Sequence, residues 1–267
     1  MHALRRIAAA AGLWITVAAA AGAAHAEATA RPFGKPRITR SPKLIVDFDL
    51  SKVAPQPIAT GRGLFAGQRV EDLGCSDSSD GQLAKVGAAW VDETARVRVE
   101  VVGVAPAGKS GRGWAGARCR YRISDSGDQT RTIELGEAVV PPFGFVSGVV
   151  RDGDVAYVQL GWNGYAREAN GKGNFVAAVD LAAGKLLWRT PDMTSNAAML
   201  VAGELLVTGY GFTKEKAALH AFDRKTGALV QSLPLPKAPA EIVRTSDGLV
   251  VRLYDGYAKV PLAAAAH

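Results

Sequence analysis

The chain has 267 residues, 48% of them hydrophobic and 21% charged, with a formal net charge of +7. That length can bury a full core as one domain or at most two, and the ordinary balance of apolar and charged residues excludes a disordered or collagen-like chain. Beyond residue 26 only two histidines remain, His220 and His267, which excludes a histidine-rich zinc site.

Residues 1–26 read as a secretory signal. Arg5 and Arg6 precede an apolar run over residues 7–20, and Ala24, His25 and Ala26 form a small-residue cleavage site. The run is short and Ala-rich, which favours a cleaved leader over an anchor, and no later stretch approaches twenty apolar residues. No cysteine sits near the cleavage site. The expectation is an exported protein of the bacterial periplasm or exterior. Residues 27–43 are expected to be a basic, Pro-rich linker: Arg31, Lys35, Arg37, Arg40 and Lys43 stand against Glu27, with Pro32, Pro36 and Pro42 keeping it extended. Once leader and linker are set aside the body is close to neutral. The basicity therefore belongs to an arm, either solvated or facing an anionic envelope surface, and no nucleic-acid partner is expected.

Residues 44–262 read as one all-β domain, with a divergent part (43–140) and a repeat-like part (141–262), and residues 263–267 as a tail. Residues 44–50 look like an orphan strand. Residues 89–99 and 118–135 look like two hairpins. In both, Val97, Val99, Val101, Cys119, Tyr121 and Ile123 alternate with Arg98, Glu100, Arg118, Arg120 and Arg122. Such alternation puts water on one side of the sheet, so this unit is expected at an open end or in a sandwich-like N-terminal sheet. Cys75 and Cys119 are the only cysteines. In an exported chain they are expected to pair, stabilising by about 4 kcal/mol, two separate thiols being the alternative.

Repeats dominate the second half. An apolar run, a tight turn and a second apolar run recur about Gly153, Gly203 and Gly248. A second motif follows in residues 178–188, Ala-Val-Asp-Leu-Ala-Ala-Gly-Lys-Leu-Leu-Trp, and again, weakened, in residues 221–231. It places Asp180 four before Gly184, with Trp188 beyond, and Asp223 four before Gly227. Spacings near 45 residues suit four-stranded blades. The motif resembles the repeat of quinoprotein-like β-propellers, Ala-x-Asp-x-x-Thr-Gly-Lys-x-x-Trp, over about residues 146–262. It departs at Ala183, where Thr is usual, and at Gln231, where Trp is usual. The resemblance implies a β-propeller-like fold of about four blades, of the non-catalytic type that scaffolds envelope assemblies. It supplies no cofactor, calcium or catalytic-base residue, so no cofactor and no metal are expected. Asp180 and Asp223 are expected to accept backbone N–H bonds in their turns.

Two stretches invite catalytic readings. Residues 103–110, Gly-Val-Ala-Pro-Ala-Gly-Lys-Ser, satisfy the P-loop pattern, but the Gly-rich sequence that follows cannot form the required helix. A glycine-rich loop between strands is the expectation. A Ser-His-Asp triad could be built only on His220, which lies in an apolar strand and reads as an interior histidine. No catalytic residue is assigned.

Up-and-down order places the connections after second strands at one end of the molecule. They carry Trp114, Trp162, Tyr165, Arg167, Lys172, Tyr210, Phe212, Lys214, Lys216, Tyr254 and Tyr257. Aromatic anchors beside cations suit a partner protein or an envelope polysaccharide. The expected function is therefore non-enzymatic binding through this end. A small glycosidase-like hydrolase using paired carboxylates in the same end is the alternative.

Overall fold

A computed structural model describes residues 31–40, 59–62, 73, 85–93, 95–109, 115–142, 144–162, 172–212 and 215–263. They form four antiparallel sheets. Sheet I runs in the order β3 (Ala89–Asp92), β4 (Val97–Lys109), β5 (Ala115–Asp125), β6 (Thr132–Leu135). Sheet II comprises β7 (Gly144–Asp152), β8 (Val155–Trp162), β9 (Phe175–Asp180) and β10 (Lys185–Arg189). Sheet III comprises β11 (Met199–Ala202), β12 (Leu205–Tyr210), β13 (Ala217–Asp223) and β14 (Leu229–Leu235). Sheet IV is built from β15 (Pro239–Thr245), β16 (Gly248–Leu253) and β17 (Gly256–Val260). Two N-terminal strands flank it, β1 (Arg37–Arg40) on β17 and β2 (Ala59–Arg62) on β15. The fold is all-β and propeller-like, and every hairpin expected from the repeats is present.

The sheets stack face to face, which explains the hydrophobic patterns. Strand β9 is buried on both faces: Phe175, Ala177 and Val179 pack with sheet I, while Val176 and Ala178 pack towards Met199, Leu206 and Phe222 of sheet III. Leu200, Val207 and Leu219 of sheet III in turn meet Ile242, Val251 and Ala258 of sheet IV. A two-sided strand therefore reads as a continuous apolar run. Sheet I is different. Val97, Val99, Val101, Tyr121 and Ile123 are fully buried against sheet II. On its other face Arg122 pairs with Glu134 at 2.8 Å, Arg118 with Glu137 at 2.8 Å, and Arg98 with Glu100 at 3.5 Å. That face is solvated, as its alternation required. Among the described residues no strand pairing joins sheet I to sheet IV.

Two expectations change. Part of the presumed linker is a strand. The chain from Pro32 runs antiparallel to the C-terminal segment through Ala263 N–H to Pro32 O (2.9 Å), the bridge Phe33–Leu262, and Gly34 N–H to Pro261 O (2.9 Å), then Arg37–Arg40 against β17. An N-terminal strand thus lies beyond β17 in the five-stranded sheet IV, covering its edge. Residues 44–50, read from the sequence as an orphan strand, lie outside the described residues. Second, the glycine-rich stretch from Gly103 to Lys109 is not a loop. It continues β4, pairing Gly103 with Arg120 and Lys109 with Ala115, with register shifts at Val101/Gly103 and Pro106/Gly108. Glycines at irregularities let the strand bend. The required P-loop turn and helix are replaced by ladder pairing as far as Lys109; Ser110 lies outside the described residues.

Candidate functional site

The tight-turn end of the molecule is tied by charges. The Asp125 side chain is fully buried, with Arg151 at 2.9 Å, Arg96 at 3.1 Å and Arg131 at 3.9 Å. The hydrogen bond from Arg151 holds its carboxyl at a pKa of about 2, against the opposing effect of burial. Arg131 also reaches Asp154, and Arg224 reaches Asp152, so the β7–β8 turn is clasped from sheets I and III. Asp180 accepts Ala183 N–H at 2.8 Å, and Asp223 accepts Thr226 N–H at 2.8 Å and Lys225 N–H at 3.0 Å. Trp188 donates its indole N–H to Arg224 O at 3.2 Å, and its ring lies 5.8 Å from that of Tyr157. Each of these groups ties turns and sheets together.

The other end carries the β8–β9 and β12–β13 connections and the segment from β10 to β11. The latter is held from beneath by buried polar groups. Gln159 donates to Ser195 Oγ at 2.5 Å and to Ala197 O at 3.0 Å, Ser147 donates to Gln159 Oε1 at 2.9 Å, and Ser195 bonds Thr208. Asn196 exchanges two bonds with Gly211, at 3.0 and 3.1 Å. Satisfied buried networks of this kind fix one geometry. At the surface Asp192 pairs with Arg189 at 3.1 Å and accepts Gly173 N–H at 2.9 Å, while Arg189 lies 4.2 Å over the Phe175 ring. Asn174 and Met193 adopt left-handed φ values of 55° and 62°, a conformation uncommon outside glycine. Backbone bonds from Met193 to Gly173 O and from Thr194 and Ser195 to Asn174 O hold them there.

The expected site residues divide. Lys172 and Lys216 are exposed and Phe212 half-buried at this end, Phe212 standing edge-on to Tyr210 at 5.9 Å. Tyr210 was expected at the surface but is buried. Its hydroxyl bonds Glu215 and reaches Met193 Sδ at 3.5 Å, and burial followed by that carboxylate bond raises its pKa. Tyr254 and Tyr257 are not in a long connection: β16 and β17 are joined by the two residues Tyr254 and Asp255, and Tyr257 is a strand residue packed with Val243 and Val250. Trp162 ends β8. Trp114, Tyr165, Arg167 and Lys214 lie outside the described residues. The Ser195–Asn196–Thr208–Gln159 network was missed; its one sequence signal is the run of Thr, Ser and Asn between β10 and β11.

No protein-family profile and no curated protein matches the chain. Among solved structures it is similar to BamB from Moraxella catarrhalis, with 12% identity over 66% of this chain and 43% of that one, at a TM-score of 0.38. It is also similar to a europium-containing methanol dehydrogenase, with 13% identity over 55% of this chain and 28% of that one, at a TM-score of 0.31. The chain thus spans less than half the length of either.

Chemically, the described part of this end offers binding groups. Among the described residues no cluster of His, Cys, Asp and Glu could hold a metal ion. His220 lies half-buried beside Phe222 at 6.0 Å; burial lowers its pKa, and its Nδ1 has no hydrogen-bond partner among the described residues. No described hydroxyl or carboxylate engages it as a triad would. Cys119 is buried in sheet I, and Cys75 lies outside the described residues.

Proposed function

We propose that the chain is an exported, non-enzymatic propeller-like protein that binds a partner protein or an envelope polymer through its long-connection end. The observation that carries this reading is the division of labour between the two ends. The tight-turn end spends its charges on the clasps at Asp125, Asp152 and Asp154. The opposite end presents Phe212 with exposed Lys172 and Lys216 above a hydrogen-bonded floor. An aromatic group and cations in connections carried on a rigid scaffold suit recognition. The carboxylates described there, Asp192 and Glu215, are engaged by Arg189 and Tyr210, so the described residues do not favour the hydrolase alternative.

The test is capture from envelope extract with the purified protein and with Phe212→Ala/Lys172→Glu/Lys216→Glu. The wild type should retain a component that the variant loses, with retention weakening as salt rises. Equal capture by a folded variant would reject this end as the binding surface.

A further inference from the structure

We infer that the outer rim of sheet IV is a seat for an anionic membrane surface, built from residues other than Phe212, Lys172 and Lys216, although its β16–β17 turn opens at the same end of the molecule. The rim is the segment from Arg31 to Arg40 together with β17. Arg31, Lys35, Arg37, Arg40 and Lys259 are all exposed, and none has an ion-pair partner among the described residues. Elsewhere most arginines are spent on carboxylates, as at Arg98, Arg118, Arg122, Arg151 and Arg224. No acidic residue occurs in residues 31–40 or in β17; the nearest in sequence is Asp255, in the turn before it.

These cations are displayed on a fixed backbone. Arg37 pairs in register with Lys259 and Thr39 with Tyr257, so Arg37 and Lys259 share one face of the sheet. Arg40 pairs with Gly256, which brings it beside the turn that holds Tyr254. Lys35 is held close by the main-chain bond from Gly34 to Pro261. Two exposed apolar groups belong to the same edge: Ile38, 39% exposed, which alternates with Arg37 and so shares the opposite sheet face with Arg40, and Tyr254, 59% exposed, in the turn beside Arg40. Cations for phosphate headgroups beside an aliphatic and a tyrosyl group for the interface form the combination that a lipid surface rewards. An acidic partner strand could add to the free edge of β1. That edge is only four residues long, whereas the basic row spans ten, so the distributed charge is the larger attraction.

Co-sedimentation with vesicles tests this, using phosphatidylcholine alone and phosphatidylcholine with about 30% phosphatidylglycerol. The protein should bind the anionic vesicles at least about tenfold more tightly, and about 0.5 M salt should release it. Arg37→Glu/Arg40→Glu should weaken binding by about tenfold or more, and Lys259→Gln by a smaller factor, with melting curves showing both variants folded. Should the double variant unfold, Lys259→Gln with Tyr254→Ser carries the same comparison. Equal binding to both vesicle types, or unchanged binding by folded variants, would overturn the inference. So would binding of polyglutamate, lost in the double variant, without any binding to anionic vesicles, since the rim would then serve an acidic protein.

Discussion

The indole of Trp188 occupies the space that a side chain on Gly227 would need. A Cβ built on Gly227 would stand 2.6 Å from Trp188 Cε3, closer than real Cβ contacts come. Trp188 closes the outer strand of sheet II, and Gly227, at φ +72°, closes the last turn of sheet III. The two repeat positions are thus complementary across the junction: the Trp of one copy covers the Gly of the next. Trp188→Ala should cost about 2–3 kcal/mol, less than a fully buried Trp, because the ring is half-buried. Gly227→Ala should also destabilise, through the left-handed backbone and the clash together. In the Trp188→Ala background only the backbone part remains, so denaturation of the four proteins should give a favourable coupling of about 1 kcal/mol. Strict additivity would mean that the ring does not sit there.

The same position in the next copy is filled by Gln231, and its contacts differ in kind. Gln231 accepts Phe33 N–H at 2.7 Å and donates to Phe33 O at 3.2 Å. A two-point bond to the main chain ties the N-terminal arm to sheet III where a Trp would cover the turn of a following blade. Gln231→Ala should cost about 1–2 kcal/mol. Hydrogen exchange should quicken first in residues 33–40, because Gln231 anchors Phe33, from which the pairing with Pro261 and β17 continues. Uniform quickening across sheet III would show that the residue supports its own sheet instead.

What the sequence revealed follows from the same geometry. Hairpins with Gly at the turn, and Asp four residues before Gly, are local signals, and each fell on its element. The open side of sheet I was legible because Arg98, Glu100 and Arg122 must alternate with buried residues on a one-faced sheet. Strand β1 of sheet IV was not. Lys35, Pro36 and Arg37 have linker composition, and only pairing with Lys259 and Gly256, more than two hundred residues away, makes a strand of Arg37–Arg40. At the candidate end, burial was not legible. Nothing local to Tyr210 reports that Glu215 and Met193 cover it.

Asp125 makes acid stability measurable. Its folded-state pKa of about 2 lies below the value near 3.9 of an unfolded Asp. The stabilisation is therefore complete above about pH 4 and is lost as the pH falls towards 2. Asp125→Asn should lower the melting temperature at pH 7, where it leaves the Arg151 guanidinium, 9% exposed, without its carboxylate. The gap between wild type and variant should narrow as the pH drops from 4 to 2. A gap independent of pH would show that the carboxylate acts through packing alone.

The pairing of Cys75 with Cys119 is the expectation for an exported chain. Leu73 is buried in the core of sheet I, and its carbonyl accepts the Tyr121 hydroxyl at 2.5 Å. That bond brings the chain two residues before Cys75 to the side chain two residues after Cys119. Tyr121 and Cys119 lie on the same strand face, both nearly fully buried. Mass spectrometry of the unreduced protein should find one linked peptide, and Cys75→Ser/Cys119→Ser should lose about 3–4 kcal/mol. Removing the Tyr121 hydroxyl with Tyr121→Phe should weaken the anchor without breaking the link. Alkylation of both thiols in the unreduced, folded protein would refute the pairing and leave the Leu73 contact as packing alone.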